Sequence, residues 1–239
     1  KPMHMIVVHS SLEHFAHVHP RLNHHRMQFE ILLNTNADPD PDNFQTNNAI
    51  PFAGDYFVFT ESMPHTEDDM MMLMTRHQFK AKANVDSEPE PEVTLKEATQ
   101  YFTHNGLNYR ASFSYKRFQW CSWWLPKFYV FIEFWSEDKK SFIPVTELQD
   151  WLSMGGHMVI LERNQKLKDT AFYHLHAFKP MATPGKFTLP YHDHTKPMKS
   201  GEYRGWFQFK TKNKVHTVPF DFKYTNPPIL SAASTAPIC

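Results

Sequence analysis

Two stretches of this chain share one histidine layout, and that repetition limits what the chain can fold into. Near the start, His4-Met5-Ile6-Val7-Val8 is followed by Phe15-Ala16-His17-Val18-His19. Late in the chain, His157-Met158-Val159-Ile160-Leu161 is followed by Phe172-Tyr173-His174-Leu175-His176. The first histidine precedes the pair by 13 residues in one copy and by 17 in the other. Each piece is short, apolar and β-branched or aromatic, which is the signature of a strand. Side chains alternate along a strand, so His17 and His19 share one face, as do His174 and His176. The same alternation sets Met5 and Met158 on the face opposite His4 and His157.

The rest of the chain reads as strands and turns. Residues 27–33, 56–59, 70–83, 95–102, 107–115, 128–134, 186–190 and 215–222 carry strand-like patterns. The His104-Asn105-Gly106 step and the charged residues 136–141 read as turns. Residues 34–48 are polar and rich in Pro and Asp, hence a surface loop. Residues 144–152 make the one helix-like turn, with Leu148, Trp151 and Leu152 on one side. The aromatic residues 118–124 resist assignment. Ala53-Gly54-Asp55-Tyr56 is matched by Ser200-Gly201-Glu202-Tyr203, which extends the repeat. Many short strands with almost no helix predict an all-β chain of two tandem antiparallel β-sandwiches. The first spans residues 1–85, with its opening strands expected to be missing. Residues 86–92, Asp-Ser-Glu-Pro-Glu-Pro-Glu, form a stiff charged linker. The second sandwich spans 93–225, and 226–239 form a tail.

Composition excludes several classes of function. Twenty-five basic and 25 acidic residues cancel, which argues against nucleic acid, whose partners present a basic face. No run approaches the ~18 apolar residues of a membrane span. Two cysteines, Cys121 and Cys239, make neither a disulfide framework nor a paired-cysteine zinc motif. No triad, phosphate-loop or dinucleotide fingerprint is present, and nothing in the sequence requires an enzyme. Sixteen histidines and 12 methionines stand out instead.

Imidazole binds copper, zinc, nickel and iron, and three imidazoles from neighbouring strands can fill one side of an ion. His4, His17 and His19 meet that description, as do His157, His174 and His176. Packing between strands is the alternative role for such histidines. The absence of a carboxylate from the repeated motif favours copper or zinc over iron or magnesium, and a thioether beside the imidazoles would favour copper. Met3 and Met154 are possible axial ligands. His77 and His216, on the strands that close each copy, are possible fourth ligands or supporting partners. His24, His25, His192 and His194 lie in loops. The run Trp120-Cys121-Ser122-Trp123-Trp124, within residues 118–124, suggests a surface for a partner protein or a segment of core.

The order of His4-Met5-Ile6, Phe15-x-His17-x-His19-Pro20 and the Gly-Asp-Tyr turn resembles a group of bacterial secreted or membrane-anchored proteins associated with heavy metals, chiefly copper. The second copy resembles them more fully, through 144–149, Gly156-His157, His174-x-His176, Gly201-Glu202-Tyr203 and His216-Thr217-Val218-Pro219-Phe220. The resemblance implies immunoglobulin-like sandwiches, an extracytoplasmic location and metal capture, delivery or resistance. A copper-dependent oxidoreductase using the same histidines is one alternative. A structural or adhesive sandwich without metal is another.

Overall fold

A computed structural model of the chain describes residues 3–26, 28–30, 50–62, 73–82, 92–120, 123–151, 154–163, 170–178, 183–191 and 198–226. The fold is all-β. Among the described residues there is no helix, and so none long and apolar enough to cross a membrane. The chain divides into two compact units, Lys1–Thr94 and Leu95–Cys239.

The first unit holds strands β1 (His4–His9), β2 (Phe15–Val18), β3 (Arg21–Asn23), β4 (Gln28–Glu30), β5 (Gly54–Ser62) and β6 (Leu73–Ala81). Four of them form an antiparallel sheet in the order β2-β1-β5-β6, and β3 and β4 pair separately. Val7, Tyr56 and Val58 pack together with Met5, Ala16 and Phe79 on one face. Of the strand expected at 27–33, residues 28–30 form β4, paired with β3, and residues 27 and 31–33 lie outside the described residues. Phe29 is 42% exposed, and among the described residues β4 pairs with β3 alone. Met70, Met71 and Met72 lie outside the described residues.

The second unit holds β7 (Thr99–His104), β8 (Leu107–Trp120), β9 (Trp123–Ser136), β10 (Ser141–Pro144), β11 (Leu148–Gln149), β12 (Gly156–Glu162), β13 (Phe172–Ala177), β14 (Lys186–Pro190), β15 (Gly201–Thr211) and β16 (Lys214–Tyr224). One antiparallel sheet runs β10-β9-β8-β7, with β14 also on β9. The other runs β11-β15-β12-β13, with β16 also on β15. Residues of both sheets share one core, including Phe113, Phe128, Val130 and Phe187 from the first and Met158, Ile160, Phe207 and Phe220 from the second. Phe113 and Phe220 rings stand 5.3 Å apart, and Phe187 and Phe207 rings 4.8 Å. The unit is therefore sandwich-like.

The helix-like turn expected at 144–152 is not helical. Pro144 ends β10, Leu148 and Gln149 pair with Thr211 and Lys210, and Trp151 bridges Met154. Edge pairing wins because Thr211 Oγ1 donates to the Glu147 carbonyl at 2.8 Å and Gln149 Nε2 donates to Asn213 Oδ1 at 2.8 Å. Of the unassigned aromatic run, residues 118–120 end β8 and 123–124 begin β9, with Phe118 paired to Leu125 and Trp120 to Trp123. Cys121, Ser122 and the side chains of residues 119, 120, 123 and 124 lie outside the described residues.

Each unit contains a sheet of the same plan. Matching β2, β1, β5 and β6 to β13, β12, β15 and β16 gives the same neighbours in the same antiparallel sense. The entry to β5 and β15 matches too. Tyr56 Oη donates to the Phe52 carbonyl at 3.0 Å, and Tyr203 Oη donates to the Lys199 carbonyl at 2.8 Å, each four residues back. Gly54, at φ 129°, is required here: a Cβ would stand 2.6 Å from the buried His9 imidazole.

On the core face of β16, His216 is 8% exposed among aromatic rings. Burial, then the neighbouring His104 and Lys214, push its pKa down to about 4. The unfolded chain therefore takes up a proton near pH 6.5 that the folded chain refuses until about pH 4. Stability contributed by neutral His216, up to about 3 kcal/mol, is present above pH ~6.5 and is lost as pH falls toward 4. Urea titrations of the parent across this window should show the loss, and His216→Phe should flatten it.

Candidate metal centres

Register brings the repeated histidines together. In the first unit β1 and β2 pair Met5 with Val18 and Ile6 with His17. Continuing that register places His4 beside His19, with His17 two residues along the same face. In the second unit His157 pairs with His176 and Val159 with His174. The four-residue difference in spacing is absorbed between the strands, and the pairing scheme is the same.

His4, His17 and His19 form one group and His157, His174 and His176 another. In each, one ligand nitrogen per residue lies within 4.8 Å of the others. His4 Nδ1 is 2.9 Å from His17 Nε2 and 3.4 Å from His19 Nε2. Two imidazole nitrogens held ~2.05 Å from a tetrahedral ion stand roughly 3.3 Å apart, so the spacing suits a metal. The ring arrangements of the two groups nearly coincide. His4–His17, His4–His19 and His17–His19 have interplanar angles of 34°, 85° and 60°. The corresponding second-unit angles are 30°, 87° and 61°, with centroids 5.5, 4.9 and 4.6 Å apart. His19 and His157 are buried and the others half-buried. Three neutral nitrogens on one side of an ion leave a further coordination position.

The methionines next to the first histidines belong to the cores, as alternation predicts: Met5 packs beside Val7, and Met158 is fully buried in the second unit. The two closing-strand histidines do not join the groups. His77 pairs with Val58, which pairs with Val7, so it lies on the face away from His4. His216 pairs with Phe209 on the core face, away from His157. Both expectations fail for one reason, strand parity. His24 and His25 sit exposed in the β3–β4 turn. His192 and His194 lie outside the described residues.

Three neighbours of the groups were not legible in the motif. Trp151 is 2% exposed, and its ring stands edge-on to His157 at 4.9 Å. Two-way backbone hydrogen bonds with Met154, at 2.9 and 3.1 Å, hold it there. Glu61 pairs with His4 and Gln208 with His157 on the third strand of each sheet. Glu61 is thus a buried carboxylate on the first triad's face, although the motif itself has none. Gln208 Nε2 donates to Thr217 Oγ1 at 3.0 Å.

Residues 131–226 match a family model described as a domain of unknown function, DUF8832. That segment contains the second triad, Trp151 and Gln208. No curated protein and no solved structure matches the chain.

Truncating Trp151 to Ala should cost about 3–5 kcal/mol, the range for a buried tryptophan, in urea unfolding. Trp151→Phe should cost less. His157 ring resonances should move in both variants if the indole positions that imidazole.

Proposed function

We propose that the chain is an extracytoplasmic metal-binding protein that captures copper through two three-histidine centres, for delivery or resistance. The observation that carries this reading is the near-identity of the two triads in register and ring orientation, although the strands are joined by segments of different length. Packing alone sets no such demand, since imidazoles on a sheet can turn toward any nearby carbonyl or hydroxyl. A shared ion needs three nitrogens aimed at one point. The donor set of three imidazoles suits copper, with zinc as the competing ion.

The reading sets the chain beside the bacterial secreted or membrane-anchored copper-associated proteins that it resembles. It takes each unit as an immunoglobulin-like domain. The paired tyrosine hydrogen bonds at the entries to β5 and β15 support this, because a tyrosine bonded to backbone a few residues upstream is a hallmark of that fold. The Trp-rich end of the β8–β9 hairpin is the proposed surface for a partner protein that receives or donates the metal.

Copper(II) titration of the full chain at neutral pH, followed by dialysis and elemental analysis, should give two bound equivalents. The double variant His17→Ala/His19→Ala should lose one, and His174→Ala/His176→Ala the other. Imidazole must be neutral to bind, so retention should fall below pH ~6. A chain that retains neither copper nor zinc at neutral pH would overturn the reading.

A further inference from the structure

The second unit holds another pair of imidazoles, on the opposite side of the sheet from its triad. His104 is the last residue of β7, in one sheet, and His216 lies on β16, in the other. Their rings stand 4.7 Å apart at 72°. The Nε2 atom of each is buried and has no hydrogen-bond partner. Phe102, Phe209 and Tyr109 rings surround His216 at 5.4, 5.2 and 6.2 Å.

We propose that His104 and His216 form a separate metal site for a soft monovalent cation, such as cuprous ion, held by two imidazole nitrogens.

Two orphaned buried nitrogens on neighbouring rings require an explanation, and an ion or a water is the usual one. Water is the weaker choice. A buried water needs two to four polar partners, and of the three rings around His216 only Tyr109 carries a polar atom. Both rings are also kept neutral, His216 chiefly by burial and His104 by burial with Lys214 and Lys212. Their lone pairs therefore stay available for a cation.

The same surroundings decide the charge of the ion. The lysines oppose positive charge, and a divalent ion would leave two uncompensated charges beside them. A monovalent ion leaves one, among rings whose faces attract cations. A d10 monovalent ion is also satisfied by two nitrogens in line and needs no water. An ion bound that way at ~2 Å per bond holds the ring centroids roughly 6 Å apart, wider than the present spacing. His104 is half-buried and is the last residue of β7, at the Asn105–Gly106 turn, so the wider spacing asks for adjustment at a strand end only.

Silver(I) is the probe, as an air-stable monovalent stand-in. Bound silver per chain is measured by equilibrium dialysis and elemental analysis on the parent, His104→Gln and His216→Gln. Imidazole 15N signals are followed in parallel. The parent should bind one silver ion more than either variant, and its His104 and His216 signals should move together. Equal stoichiometry in parent and variants, or silver that shifts only other histidines, would overturn the site. If His216→Gln does not fold, the half-buried His104→Gln carries the comparison. The difference between parent and variant reads this pair alone, so empty triads would sink the copper-capture reading and leave this site standing.

Discussion

Cross-strand register is the constraint on which the rest of this structure depends. A triad is assembled from one histidine on a central strand and two on its neighbour, and only one pairing of those strands brings them together. A one-residue slip would turn every side chain to the other face and disperse the ligands. The register is held from the apolar side. Val7 in one unit, with half-buried Met5 packed against it, and Met158 and Ile160 in the other, sit in cores that accept no slip. Packing on one face thus fixes the coordination geometry on the other.

The faces that carry the triads are not simply solvated. Ile6, Val8, Val159 and Leu161 lie along them and are almost wholly buried. In the second unit the same face ends in an ion network. Arg204, fully buried, donates twice to Asp221 at 2.8 and 2.7 Å, Lys96 N–H donates to it at 2.7 Å, and Arg163 donates as well. Burial alone would raise the Asp221 pKa. These hydrogen bonds outweigh it and hold the carboxyl below its usual range. Buried charge is tolerated here because each partner is satisfied.

How much could be read from sequence follows from the range of each interaction. The shared face of His17 and His19 needs only the two-residue period of a strand, and the all-β class needs only its repetition. The exclusion of His77 and His216 from the triads also follows from parity, but only once β6 and β16 are placed in register with β5 and β15. Glu61 and Gln208 reach the triad faces through strands some fifty residues away, where no local pattern gives the pairing. Trp151 was hidden because Leu148, Trp151 and Leu152 fit a helical period over a window too short to separate helix from edge strand. The His104–His216 pair crosses between two sheets, and sheet packing has no period along the chain.

The position of the triads within their sheets has a mechanical side. Among the described residues, strands β2 and β13 are the last in their sheet orders. The ligands join that outer strand to its inner neighbour. Under the proposed metal reading, an ion seated there would act as a rivet on the sheet margin, adding side-chain bonds beside the four residue pairs that β2 makes with β1. On that reading, departure of the ion would loosen the margin first, so the three imidazoles that hold the ion would also set how firmly the outer strand is held.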